Sequence, residues 1–211
     1  MFHIRRGVFM PTHAALFVPG SAPLLDGSES DGTNKLDAPT AAFSSNWNTS
    51  NATFVDDIDT APDGTTTGAR LLETAVTGRH ILYNIGYFIT AGASVTYSVY
   101  AKMITRRYLQ VMVANSSRLY AYFDLQTGTV TDSGTVSPDG STNLSATSCQ
   151  AAVNGYYKCT ITGILDASTT QPYFQFGLSD VATYGAPLSS DSPSYLGNTS
   201  NGAYLWRPKV V

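Results

Sequence analysis

Charge is scarce in this sequence. Asp, Glu, Lys and Arg make up 13% of its 211 residues, about half the roughly 25% of an ordinary soluble domain. The net charge is −3. The arginine pairs Arg5-Arg6 and Arg106-Arg107 stand alone, so no basic stripe exists to neutralise phosphates, and nucleic-acid binding is not expected. No apolar run approaches the ~20 residues that span a bilayer. After Met1 to Val8 no apolar stretch of leader length follows, because Pro11, His13 and Pro19 interrupt it. The expectation is therefore no membrane span and no secretion leader.

Chemistry-bearing residues are equally sparse. Cys149 and Cys159 are the only cysteines, too few for a disulfide framework or a zinc site. His3, His13 and His80 lack ligand spacing, and His80 reads as a packed or solvated strand residue. Asp56-Asp57-Ile58-Asp59 followed by Asp63-Gly64 is acidic and turn-rich, but it lacks the bidentate Glu of a calcium loop. A solvated loop and a weak calcium site both stay open there, and no metal centre is assigned. Glu occurs only at Glu29 and Glu73. Few acids fall inside strands, Asp124 being one, which leaves little for paired-carboxylate hydrolysis. Neither a Gly-x-Ser-x-Gly elbow nor a phosphate-cradling loop occurs. The expected protein is not an enzyme and takes no cofactor.

What fills the space is 43% hydrophobic residues, 13 Tyr and 18 Gly, set among Thr, Ser and Asn. That composition suits sheets and hydrogen-bonding interfaces. Val95 to Lys102, Arg106 to Ala114, Leu119 to Leu125 and Phe174 to Leu178 alternate with period two, the signature of half-buried strands. Further strands are expected near Ala52–Asp56, Ala69–Thr74, His80–Phe88, Cys149–Val153, Tyr156–Ile164 and Ala203–Lys209. Turn signals such as Pro62-Asp63-Gly64, Thr127-Gly128 and Asn154-Gly155 separate them. About ten short strands without a helical window predict an all-β antiparallel sandwich of jelly-roll type over residues 35–211. Residues 1–34 read as an extended N-terminal arm. Its Phe9 and Phe17 are expected to dock on a partner or a neighbouring subunit, or else to pack on the arm's own domain.

Two registers can be worked out. A two-residue Asn154-Gly155 turn pairs Val153 with Tyr156, Gln150 with Cys159 and Cys149 with Thr160. The thiols then point to opposite faces as two small semi-buried groups, and a disulfide would need a bulge or another register. A three-residue loop Asn115-Ser116-Ser117 pairs Ala114 with Arg118 and Gln110 with Tyr122. Leu109 and Val111 then meet Phe123 and Ala121 inside, while Tyr108, Gln110, Tyr120 and Tyr122 share the outer face, extended by Tyr173 and Gln175 if their strand joins the sheet. Such a face suits glycan stacking, a protein interface or plain cross-strand pairing; all three stay open.

An ordered set of pieces carries a family resemblance. It runs from Trp47 through Ala61-Pro62-Asp63-Gly64-Thr65, Leu71-Leu72-Glu73, His80 and Ala91-Gly92. It continues with Tyr97-Ser98-Val99-Tyr100-Ala101-Lys102, Phe123-Asp124-Leu125 with Gly128, and Asn154-Gly155-Tyr156-Tyr157-Lys158-Cys159. It ends at Gly202-Ala203-Tyr204-Leu205-Trp206. This order resembles a carbohydrate-binding-module-like jelly roll found in bacteriophage tail fibres, head fibres and decoration proteins. The resemblance implies a non-enzymatic virion structural protein, assembled in the host cytoplasm, that decorates the capsid or forms a head- or tail-fibre-like appendage. Its implied partners are other virion proteins, reached through the arm, and further copies of itself, with a trimer among the options. Host surface polysaccharide is a further implied partner. A dedicated receptor-recognition module of a tail fibre and a polysaccharide-degrading enzyme are the rival readings. The resemblance supplies no sugar-contacting residues.

Overall fold

The computed structural model describes residues 47–85, 88–138, 140–184 and 192–211. The expected arm, with Phe9 and Phe17, lies outside the described residues. In chain order the strands are β1 (Trp47–Ser50), β2 (Ala52–Asp59), β3 (Gly68–Glu73), β4 (Thr77–Gly78), β5 (His80–Asn84), β6 (Ser94–Met103) and β7 (Tyr108–Ala114). They continue as β8 (Arg118–Asp124), β9 (Thr129–Val136), β10 (Asn143–Ala151), β11 (Tyr157–Ile164), β12 (Tyr173–Ser179), β13 (Tyr195–Leu196) and β14 (Gly202–Val210). They form two six-stranded antiparallel sheets, ordered β1-β5-β12-β7-β8-β9 and β10-β11-β6-β14-β3-β2, with β13 and β4 as a short ribbon. The protein is an all-β antiparallel sandwich. No helix among the described residues is long and apolar enough to cross a membrane.

Alternation decides what lies between the sheets. Leu109, Val111, Val113, Leu119, Ala121, Phe123, Phe174, Phe176 and Leu178 from the first sheet are all fully buried. Tyr97, Val99, Ala101, Ala203 and Leu205 answer them from the second. Each buried Leu or Phe contributes about 1.5–3 kcal/mol by leaving water. Tyr97 stacks on Phe176 at 5.0 Å between ring centroids, and Trp47 stacks on the same phenylalanine at 5.5 Å. An aromatic column thus ties β6, β12 and β1 across the interior.

The β7–β8 hairpin has the expected register, with Ala114 opposite Arg118 and Gln110 opposite Tyr122. The β10–β11 hairpin does not. Asn154 does take the left-handed conformation, at φ 58°, and Gly155 follows at φ 77°. But Val153 joins them in a three-residue loop, closed by the Ala152 N–H donating to the Tyr156 carbonyl at 2.8 Å. One added loop residue moves the whole ladder by one step. Cys149 therefore faces Cys159, and Gln150 faces Lys158, so the thiols share a face instead of opposing each other. Cys149 is half-buried, as expected of both thiols, but Cys159 is fully buried. The strand expected over His80–Phe88 ends at Asn84, and Phe88 is exposed.

Several of the pieces that carry the resemblance gather into three packed knots. On the outer face of the second sheet, the Asn154 amide donates to the Ala61 carbonyl at 2.7 Å and Trp206 Nε1 donates to Thr67 at 3.0 Å. Trp206 meets Tyr100 at 5.1 Å, and Tyr156 donates to Asp59 at 2.9 Å. Lys102 pairs with Asp59 and lies over the Tyr156 ring. The loop and the hairpin tip thereby cover a face that would otherwise expose a Trp and two Tyr.

The second knot is polar. Buried Glu73 accepts from Arg106 Nε at 2.5 Å, from Tyr195 Oη at 2.8 Å and from the Asn198 N–H at 2.9 Å. Burial alone would raise its carboxyl, but these bonds outweigh that and hold it below its ordinary value. Nearby, buried His80 bridges the Asn51 and Tyr195 carbonyls.

In the third knot Asp124 accepts from Arg107 Nη2 at 2.6 Å and from the Gln126 N–H at 2.9 Å. It shapes the turn that ends at Gly128, where φ is +69°.

Two outcomes follow from these knots. A Cβ at Gly128 would run into the Tyr157 ring at a positive φ. Gly128→Ala is therefore expected to destabilise by about 1–3 kcal/mol. Urea unfolding should show a lower midpoint with an unchanged m-value; an unchanged midpoint refutes the packing role.

The Asp124 carboxyl is held at about 2, chiefly by Arg107. A depressed folded pKa stabilises above the unfolded value of about 3.9, and that gain is lost as pH falls through the folded value. The melting temperature should hold down to about pH 5 and then decline towards pH 2, with a shallower decline in Asp124→Asn. Equal slopes in the two proteins would remove Asp124 from the account.

Candidate functional site

The outer face of the first sheet carries the residues singled out for contact. Register places Asn48, Tyr83, Gln175, Met112 and Tyr120 in one row across the strands. The adjoining row holds Ser50, Ile81, Gly177, Gln110, Tyr122 and Asp132. Tyr173 and Tyr108 lie at opposite ends of the same face. The six expected residues Tyr108, Gln110, Tyr120, Tyr122, Tyr173 and Gln175 do share one side of one sheet.

They do not form one open surface. Gln110 and Tyr122 are fully buried and Gln175 is 4% exposed. The chain after β12 folds back over them. Tyr184 stacks on Tyr120 at 4.5 Å and meets Tyr122 edge-on. The Tyr184 N–H donates to Asp132 at 2.7 Å, and the Thr131 hydroxyl donates to the Ala182 carbonyl at 2.6 Å. Beneath this cover, Gln110 Nε2 donates to Tyr122 Oη at 2.9 Å, and Gln175 Nε2 donates to Gln110 Oε1 at 3.1 Å and Ser192 Oγ at 2.6 Å. Ser192 in turn donates to Gln110 Oε1. The reason is satisfaction of polar groups. Amides and phenols in the middle of a covered sheet need partners, and here the protein supplies them from its own chain. Burial pushes the Tyr122 phenol up, so it stays neutral.

The face remains open at its other end. Between β1, β5 and β12 lies a cleft of about 330 Å³, within the size range of small-ligand sites. Ile81, Ala114 and Gln175 are its buried residues, half-buried Tyr83, Arg79 and Ser50 line it with Tyr173, and exposed Ile85 completes the lining. Tyr173 is 43% exposed. Two aromatic rings, a guanidinium, an amide and a hydroxyl thus border one concave space with three apolar residues, Ile81, Ile85 and Ala114, in its lining. Among these residues no nucleophile is set beside a general base.

Of the six expected contact residues, only Tyr173 and Gln175 line this cleft. Tyr108 is half-buried under the Arg107 guanidinium, 5.2 Å from its ring centre. Sequence reasoning missed Arg79, Tyr83 and Ser50. Tyr83 was within reach, because it alternates with buried Leu82 and Asn84 inside a run already read as a strand. The four-residue β1 is too short to show a period.

The acidic stretch from Asp56 to Asp63 uses two of its carboxylates separately. Asp59 serves Lys102 and Tyr156, and Asp63 accepts from Thr65 at 2.9 Å. Among the described residues no three His, Cys, Asp or Glu side chains stand close enough to share a metal ion.

No protein-family model matches the sequence, and no curated protein matches it. Among solved structures, one similar chain is the N-terminal part of the Clostridium thermocellum endo-1,4-β-D-xylanase 10B, comprising its CBM22-1 and GH10 modules in complex with xylohexaose. The identity is 9% and the TM-score 0.43, and the match covers 79% of this chain but 26% of the xylanase chain. At that score the likeness carries no argument about binding or chemistry, and the fold assignment rests on the strand pairing itself.

Proposed function

We propose that this protein is a non-enzymatic binding and structural component of a bacteriophage particle, and that the cleft between β1, β5 and β12 is where it touches surface glycan. The observation that carries the binding reading is the pairing of Tyr173 and Tyr83 with Arg79 and Gln175 around one concave space. Tyrosine rings offer flat faces to the C–H groups of a sugar. The Arg79 guanidinium offers hydrogen bonds to its hydroxyls, while the Gln175 amide, held by Gln110 and Ser192, forms a fixed polar wall. The covered Gln110–Tyr122 region serves stability in this reading, so the contact area is confined to the open end of the face.

Support for the virion role comes from the ordered sequence pieces and from the way they pack. Trp206 packs on Tyr100, Glu73 pairs with Arg106 and Asp124 with Arg107, which in this reading stiffens the domain as an appendage. In this reading residues 1–34 attach the domain to other virion proteins. Further copies assemble under the particle's symmetry, and assembly takes place in the host cytoplasm.

Two measurements check these proposals. Mass spectrometry of purified particles should find the protein in the virion; its absence from particles that contain the other structural proteins rejects the virion role. Calorimetric titration with host surface polysaccharides should give saturable binding. Tyr173→Ala and Arg79→Ala are each expected to weaken that binding about five- to tenfold without lowering the melting temperature, the size of one lost aromatic or charged contact. Binding that is absent from every polysaccharide, or unchanged in both variants, rejects the cleft.

A further inference from the structure

The β10–β11 ladder brings the two cysteines of the chain into a geometry that the sequence alone did not suggest. Cys149 and Cys159 are direct cross-strand partners. The kind of pair can be counted from the hairpin end. The Ala152 N–H donates to the Tyr156 carbonyl, so Ala152 and Tyr156 occupy a hydrogen-bonded site. Antiparallel sites alternate. Ala151 with Tyr157 is then non-hydrogen-bonded, Gln150 with Lys158 hydrogen-bonded, and Cys149 with Cys159 non-hydrogen-bonded. No register shift intervenes between these pairs. A non-hydrogen-bonded pair has its Cα atoms about 4.5 Å apart and its side chains at their closest. That lies within the roughly 4.4–6.8 Å a disulfide requires.

The environments of the two thiols differ. β10 is the edge strand of its sheet and Cys149 is half-buried there, whereas Cys159 is fully buried between the sheets. Burial first, and the adjacent Cys149 thiol second, hold Cys159 protonated. Cys149 is therefore the sulfur that solvent-borne reagents meet, and Cys159 is the sulfur waiting beside it.

We propose that Cys149 and Cys159 form a two-electron oxidation site, in which a low-molecular-weight disulfide such as oxidised glutathione converts the pair into a cross-strand disulfide that fastens edge strand β10 to β11. The Cys149 thiolate attacks one sulfur of the small disulfide. That S–S bond breaks, one small thiol leaves, and a mixed disulfide remains on Cys149. The Cys159 sulfur, on losing its proton, then attacks the Cys149 sulfur and expels the second small thiol. Two protein thiols are oxidised, one small disulfide is reduced to two thiols, and both protons end on those thiols. The site is reduced where glutathione is kept reduced and closes in an oxidising medium. This inference does not depend on the cleft or on the virion role.

The test uses the full chain incubated with oxidised glutathione and mapped by trypsin without reduction. Lys158 directly precedes Cys159, so cleavage there separates the cysteines, and only a bridge keeps the two peptides together. The expected result is a Cys149–Cys159 linked peptide pair, loss of both titratable thiols, and a monomer mass reduced by two hydrogens. The melting temperature should rise by a few degrees and return on reduction. Cys159→Ala should instead stop at a glutathione adduct on Cys149. Should that variant fail to fold, Cys149→Ser, altered at the half-buried position, should show no thermal shift with oxidant. Two free thiols persisting after incubation, an adduct on Cys149 in the unmutated protein, or only intermolecular dimers would each overturn the proposal.

Discussion

The pleat imposes the constraint from which the rest of the architecture follows. Successive side chains of a strand must point to opposite faces. Once Leu109, Val111, Phe123 and Phe176 turn inward, Gln110, Tyr122 and Gln175 must turn outward. The aliphatic half of each strand solves its problem by meeting the other sheet. The polar half then needs its own solution, and the protein uses two. At one end the chain returns over the sheet and supplies Tyr184 and Ser192 as partners. At the other end the face is left concave and open around Tyr173. The candidate site is thus the open end of that outward face, around exposed Tyr173.

The same logic operates on the second sheet. Tyr100, Trp206 and Lys102 face outward there, and the loop near Ala61 with the hairpin tip at Asn154 covers them. The sequence pieces that bear the family resemblance fall largely at such covering points, and at Glu73 and Asp124. Their side chains are spent on one another. They therefore hold this chain's own architecture together, and the cleft residues Arg79 and Tyr83 lie outside the set.

Legibility in the sequence followed the strength of local signals. The β7–β8 register could be counted because Ala114 and Arg118 flank a loop with no competing length. The β10–β11 register could not, because Asn154-Gly155 takes positive φ both in a two-residue turn and at the end of a three-residue loop. The choice rests on Val153, which carries no turn signal. Strand β9 alternates half-buried with exposed residues and has no large apolar side chain except Val130 and Val136. No period-two contrast announces it. The tyrosine face was read correctly as a face but not as a partly covered one. The covering segment is remote in sequence, and nothing in Tyr120 or Tyr122 encodes its arrival.

Strand β14 is the last in chain order, yet it sits in the middle of its sheet, hydrogen-bonded to β6 on one side and β3 on the other. Until residues 202–210 are in place, the β2–β3 hairpin presents a bare flank and cannot join its own sheet. Closing that gap brings together Arg70 and Tyr204, segments separated by most of the domain. A large loop entropy must be lost before any packing energy returns. During synthesis the ribosome must finish almost the whole domain before the half containing β3 can lock. The nascent chain therefore carries an unpaired strand edge for most of its translation, a period in which chaperone shielding has the most to protect.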